Sequence, residues 1–409
     1  MRVLLTCLPL YSHLVPAVIP AARALGRAGH QVAVATAPAM AGELGRAGIE
    51  HLPLPNVIDL ARFLTDPAYT NLPGMPGAVT EAGGHRSAAA EPSVSRARSD
   101  PGEGVRAYAG PLARIFAEDL LDAAPRWQPD VIVRECNEFG GYLAAERLGL
   151  PQAVLDISPF SARNLPAVRD ILNAQRAGLG LDTVDTPGRP DRTLLAALVP
   201  QQWYPDDIRL PSARSYRLDD TGPGAIALDP AFANLPDDRP LVLAGLGTVA
   251  LQAIPEAPKL LELLVAALGE LPCTGVVALG PGFDPADWTG PRPGNVRLTS
   301  FAPQPQLLHS ADLFLSHGGF GGVREALRAG TPMAVLPLFG DQQDNADRVA
   351  ELGLGTRLDP AVVDATSLAE ACARLLDDPA PRHRAASMSR RMLACPGTEA
   401  LAEDIAALA

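Results

Sequence analysis

The residues best equipped for chemistry stand between Ser316 and Thr331, SHGGFGGVREALRAGT, where paired glycines follow a short apolar run, Leu313 to Leu315. Val323, Ala326 and Leu327 then recur at helical spacing, so a helix is predicted to begin at the glycines. A strand end, a glycine turn and a helix start together make an anion-binding arrangement. Backbone N–H groups and the positive end of the helix dipole converge there, and the missing side chains let a phosphate approach the main chain. His317, at the strand end, could add a donor. The same glycines would also serve as a plain tight turn.

A second apolar strand, Met333 to Leu336, is followed by PLFGDQQDNA, which sets Asp341 and Gln342 at its carboxyl end. Ligands of open α/β sheets bind at carboxyl ends of strands. One strand end thus offers a phosphate cradle and the next a carboxylate and an amide suited to hydroxyls, the two needs of a phosphorylated sugar. Asp341 could equally cap the helix that runs through Ala346 and Val349. At the other end of the chain, His13 follows the apolar strand Val3 to Cys7 at a loop-to-helix junction. A neutral imidazole, with an ordinary pKa of about 6.5, suits proton abstraction near neutrality. The alternative is a histidine that caps its helix or lines the core.

Taken in order, His317, Gly319, Gly321, Glu325, Gly330, Pro332, Pro337, Asp341, Gln342 and Asn345 resemble the donor-binding signature of nucleotide-sugar-dependent GT-B glycosyltransferases. Phe301-Ala302-Pro303-Gln304 is similar to the family's aromatic-x-Pro-Gln element, which holds the nucleobase. The stretch RECNEFGGYLAAERLGLP looks like natural-product glycosyltransferases of actinobacteria. The resemblance implies an α/β protein with two Rossmann-like domains facing each other across a cleft. It implies that His317 and the backbone of Gly319, Phe320, Gly321 and Gly322 hold the diphosphate, with Thr248 a further contact near it. Glu325 would take the ribose hydroxyls, and Asp341 and Gln342 the transferred sugar. His13, with Pro16 three residues on, matches the family's general base. The implied reaction is inverting transfer from a dTDP- or UDP-sugar to a hydroxyl of an apolar small molecule, with no metal and no cofactor beyond the nucleotide sugar.

A carboxylate should orient the base. Asp100, Asp119 and Asp122 are candidates by region, although Asp119 and Asp122, three apart on one helix, could equally form its solvated face. One departure from the family is Gly322, where Ser or Thr is usual. A serine there would be expected to add a charge-assisted hydrogen bond to phosphate.

These residues need two α/β halves to position them. The first half reads as strands at Val3 to Cys7, Gln31 to Ala35, Pro129 to Val133 and QAVLD, with GGYLAAERLGL as a helix. The second has strands near Leu241, Val276, Val296, Leu313, Met333 and Thr356. Residues 1–216 are read as the acceptor domain, 217–385 as the donor domain and 386–409 as a tail returning to the first. A hinge is expected near Arg214 to Thr221. Pro53 to Gly104 has little periodicity and reads as a long loop, covering the acceptor by resemblance or simply disordered.

Length and charge agree. At 409 residues and 47% hydrophobic content the chain exceeds one core. A net charge of −12 argues against a nucleic-acid partner, and no apolar run is long enough to span a membrane. The opening VLLTCLPL is too short for a secretory leader. Five widely spaced cysteines without a CxxC pair point to reduced thiols and a cytoplasmic location. The expected partners are the donor and the acceptor, with a homodimer as an option. Rival readings are a sugar-nucleotide epimerase of the same architecture and a non-catalytic activator that kept the fold. A dinucleotide-dependent dehydrogenase is disfavoured by LPLYSHL, which has no glycine in the turn after the first strand.

Overall fold

The computed structural model describes residues 1–58, 108–160, 168–187, 194–209, 213–218, 228–248, 254 and 256–409. The first sheet has seven strands: β1 Arg2–Thr6, β2 Gln31–Thr36, β3 Glu50–Pro53, β4 Val131–Glu135, β5 Gln152–Asp156, β6 Leu194–Ala197 and β7 Ala213–Ser215. The second has six: β8 Leu241–Gly245, β9 Thr274–Ala278, β10 Val296–Thr299, β11 Leu313–Ser316, β12 Met333–Val335 and β13 Gly355–Arg357. Every pairing in both is parallel. The orders are β3-β2-β1-β4-β5-β6-β7 and β10-β9-β8-β11-β12-β13.

Each sheet is doubly wound, as its sequence pattern requires. β4 and β5 are buried at all five positions, the signature of strands covered on both faces. Val3 and Leu5 pack into one core with Leu401 and Ile405, whereas Leu4 packs into another with Phe116 and Leu120. That split is the period-two alternation of a strand. In the second sheet Val242, Ala244, Leu313 and Leu315 pack with Leu261, Leu264 and Leu368.

Both strand orders reverse direction at one place, between β1 and β4 in the first sheet and between β8 and β11 in the second. Crevices at the carboxyl ends of such switch points are where doubly wound folds bind ligands. The helices that follow β1 and β4 are α1 Tyr11–His13, continued as α2 Ile19–Arg27, and α4 Gly140–Leu148, which comes after α3 Pro111–Trp127; in the second sheet α6 Phe320–Ala329 follows β11, with α5 Gln304–Leu308 after β10 and α7 Gln342–Glu351 after β12.

The chain forms two compact units, with Gly224–Ala394 in the second and Cys395–Ala409 grouped with the first. Helix Thr398–Ala406, α8, buries Leu401, Ala402 and Ile405 in the first core, and Asp404 accepts hydrogen bonds from Arg214 and Tyr216. Helix Pro379–Leu393 stays with the second unit, its Ser389 hydroxyl donating to the Arg328 carbonyl at 2.6 Å. Arg214, expected in the hinge, sits instead in the edge strand β7, and residues 219–221 of that hinge lie outside the described residues. So does the 53–104 stretch beyond Ile58, with Asp100. Among the described residues no helix is long and apolar enough to cross a membrane.

Candidate functional site

In the first unit the site grows from the ends of β1 and β4. After Thr6 the chain turns through Leu10, whose carbonyl accepts from the His13 and Leu14 N–H groups at 3.1 and 2.9 Å. The helix widens at once into a π-turn, Leu14–Val18, in which the Ile19 N–H bonds the Leu14 carbonyl. Pro16 lies inside it, and a proline lacks the N–H and the room that a regular α-turn demands, so the wider turn accommodates it. His13 is the last residue before this widening.

His13 Nδ1 lies 3.2 Å from Glu135 Oε1. Glu135 is fully buried, and its other oxygen accepts the Asn137 N–H at 2.7 Å, so the carboxylate is held from both sides. The His13 side chain remains 20% exposed. A carboxylate at Nδ1 selects the neutral tautomer with its proton there, which leaves the Nε2 lone pair to take a proton and places a negative charge to stabilise the resulting imidazolium.

This partner is none of the sequence candidates, of which Asp119 and Asp122 are among the described residues. Asp119 is buried on α3, but its oxygens accept from the Asn56 N–H and side-chain amide at 2.8 and 2.7 Å. Asp122 is exposed. Glu135 ends a strand that reads clearly as PDVIV, and register pairs Thr6 with Arg134, one residue before it. Extending each predicted strand by two residues and treating a charged residue there as a candidate would have found it.

The second unit builds a different site at the ends of β8 and β11. Gly247 and Thr248 follow β8; His317, Gly318 and Gly319 follow β11. The His317 ring lies clasped between two glycines. A Cβ on Gly247 would come within 2.6 Å of its Cε1, and one on Gly319 within 2.4 Å of its Nε2. Burial pulls the imidazole down to about 4, with the Gly245 carbonyl opposing that shift, so the ring is neutral near pH 7. It can offer a phosphate a neutral N–H, not a cation.

Gly318, at φ 82°, makes the turn. Its N–H donates to Ser316 Oγ at 3.1 Å, and its carbonyl accepts from Asn345 Nδ2 at 3.0 Å. Gly319 is the N-cap of α6, and no side chain caps that end. Phe320, Gly321 and Gly322 form the first turn of α6 at the positive end of its dipole, the arrangement that receives anions. A Cβ on Gly321 would meet nothing within 4 Å.

Around this turn the other expected residues gather. Gln304 Nε2 donates to Glu325 Oε2 at 2.6 Å, which joins the start of α5 to the second turn of α6. Phe301, 64% exposed, precedes Gln304, and Ala302 beside it is buried. Gly322 has no positive φ, and its missing side chain would point at Phe314 Cε1, 3.3 Å away, and Gln304 Nε2, 3.4 Å away. Gln342 is buried, with Oε1 accepting from the Leu338 and Phe339 N–H groups at 2.8 and 3.1 Å, so only its amide N–H₂ is left to donate. Asp341 occupies the N-cap of α7 without making a capping bond. Among the described residues no three His, Cys, Asp or Glu side chains cluster as metal ligands would.

Residues 23–222 match the family model described as erythromycin biosynthesis protein CIII-like, N-terminal domain, and residues 263–408 match its C-terminal domain. The chain is 30% identical over 407 residues to L-demethylnoviosyl transferase of Streptomyces niveus, covering 96% of this chain and 93% of that one. It is 28% identical over 417 residues to tylactone mycaminosyltransferase of Streptomyces fradiae, covering 97% and 90%. Among solved structures it is similar to the glycosyltransferase SnogD from Streptomyces nogalater, with a TM-score of 0.72, 25% identity and 100% of both chains covered.

Proposed function

The chain belongs to the erythromycin biosynthesis protein CIII-like family and is a glycosyltransferase of GT-B fold, and from that premise we propose that it transfers a sugar from a dTDP- or UDP-sugar to a hydroxyl of an apolar natural product. A polyketide or related aglycone is the acceptor class, in keeping with relatives named for tylactone and for a noviosyl sugar. The transfer is inverting, needs neither metal nor cofactor, and uses His13 as its base. The observation that carries this reading is the His13–Glu135 pair at the switch point of the first sheet.

His13 Nε2 takes the proton of the acceptor hydroxyl as its oxygen forms a bond to the anomeric carbon. The bond from that carbon to the diphosphate oxygen breaks, and the diphosphate leaves with the electron pair. Glu135 stabilises the imidazolium until it releases its proton to water. The leaving diphosphate is received by the first turn of α6 and by His317, which is stabilisation by groups already oriented towards the developing charge. Phe301 offers an exposed face to the nucleobase within the Phe301–Gln304 element, Glu325, held by Gln304, serves the ribose, and Asp341 with the Gln342 amide serves the sugar. The free cysteines suit a cytoplasmic setting.

Mass spectrometry of reactions with a panel of nucleotide sugars and polyketide acceptors, run in excess EDTA, tests this reading. An α-linked donor should give a β-linked product by proton NMR. A strict requirement for Mg²⁺ or Mn²⁺, or retention of configuration, would overturn it.

A further inference from the structure

Between β4 and α4 the chain turns through Glu135-Cys136-Asn137-Glu138-Phe139, and two acids in this short turn are almost completely buried. Glu135 faces His13. Glu138 has no part in the reaction derived above, yet it is the more heavily bonded of the two. Its Oε2 accepts from the Thr6 hydroxyl at the end of β1, and both its oxygens accept the Gly141 N–H at 2.9 Å in the first turn of α4. A Cβ on Gly141 would lie 2.5 Å from Thr6 Oγ1 and 2.6 Å from Glu138 Oε2, so the three groups meet only because this residue is glycine. Arg134, wholly buried, directs Nη1 at the Glu135, Cys136 and Glu138 carbonyls at 3.4, 3.2 and 3.3 Å, so the turn is wrapped around its guanidinium.

We infer that Glu138 is a positioning residue for the His13–Glu135 pair: by tying the turn to Thr6 and to the start of α4, it fixes the direction in which Glu135 presents its carboxylate. The inference rests on the reading of His13 as the base. Its chemistry follows from the charges. One buried cation, Arg134, serves two buried carboxylates, and a second uncompensated anion is costly in such a place. Burial pushes the Glu138 carboxyl up to about 7, Glu135 adding to the rise while Thr6, the Gly141 N–H and Arg134 oppose it. The Cys7 thiol on β1 is raised well above its ordinary value by burial and by both carboxylates, so it stays neutral, and the Cys136 thiol donates to the Ser158 carbonyl. Carried as the neutral acid, Glu138 can still accept the Gly141 N–H on one oxygen and donate its proton to the Thr6 hydroxyl oxygen from the other, and it puts no second negative charge beside Glu135. A neutral amide at 138 should therefore do the same work, and an alanine should not.

The test compares Glu138→Gln and Glu138→Ala in the full chain, reading kcat and acceptor KM, UDP and dTDP affinity by calorimetry, and the His13 imidazole titration by NMR, assigned with His13→Gln. The alanine variant should lose about tenfold or more in kcat with nucleotide affinity unchanged, and the glutamine variant should stay within about threefold at pH 6.5. The His13 titration should move in the alanine variant. Added to Glu135→Gln, the alanine change should cost almost nothing further. Native kcat in Glu138→Ala, equal losses in both variants, or losses that add to those of Glu135→Gln would overturn the inference. If Glu138→Ala does not fold, Thr6→Val removes one tie without touching charge and carries the same expectation. If His13→Gln keeps full turnover, the base reading fails by itself, and an unmoved His13 titration in Glu138→Ala still decides against positioning.

Discussion

His13 Nδ1 and Glu135 Oε1 stand 3.2 Å apart although 122 positions separate the two residues. The parallel pairing of β1 with β4 joins them, since each side chain follows or ends a strand at the same edge of the sheet. Glu135→Gln keeps the shape but can place an N–H₂ against Nδ1, which moves the imidazole proton to Nε2 and removes the base. Turnover should fall about 10²- to 10⁴-fold, with nucleotide affinity by calorimetry unchanged. Retention of native turnover would show that the tautomer is set by something other than this carboxylate.

In the second unit, Gly319→Ala puts a Cβ where His317 Nε2 now lies, and Gly247→Ala crowds the other face of the ring at a positive φ. Each should weaken UDP or dTDP binding by about tenfold or more, which corresponds to roughly 1.4 kcal/mol. Titration calorimetry reads this without an acceptor. Native affinity in both variants would remove His317 from the diphosphate site.

Gly322→Ser is a sharper case. The added hydroxyl was expected from sequence to reach phosphate, but the Cβ would point inward at Phe314 and Gln304. It should compete for the Gln304 amide that Glu325 now accepts, and weaken nucleotide binding by about threefold or more. Tighter binding in the variant would restore the hydroxyl argument.

Much of this was legible in the sequence, for reasons visible in particular elements. Leu313 to Leu315 and the four glycines read as strand, turn and helix, and the structure has β11, the Gly318 turn and α6 there. PDVIV read as a strand because it is buried on both faces, but its last two residues, Arg134 and Glu135, are charged and fell outside the apolar run. Their pairing with β1 arises from a long crossover, which no local pattern encodes. β7 has three residues and no run long enough to show alternation, so Arg214 read as hinge. The inward aim of Gly322 depends on how α5 packs beside α6, and that is tertiary.

Glu138 also predicts a pH dependence of stability. Its folded value of about 7 lies above the ordinary 4.5, so its contribution is complete below about 4.5 and is lost as pH rises through about 7. The loss amounts to about 3 kcal/mol. Glu138→Gln does not titrate, so its Tm relative to the native chain should rise by several degrees between pH 5 and 8, then level off. His317 works in the other direction. Its lowered value of about 4 means that stability present above about 6.5 is lost as pH falls towards 4, and His317→Asn should flatten that acid limb. Parallel Tm curves for native chain and variants would contradict both assignments.

The central claim is that His13 removes the acceptor proton, and turnover of His13→Ala, measured together with its nucleotide affinity, tests it most directly. The account predicts a fall of about 10²- to 10⁴-fold in kcat with UDP and dTDP affinity unchanged. Native turnover in His13→Ala would contradict it.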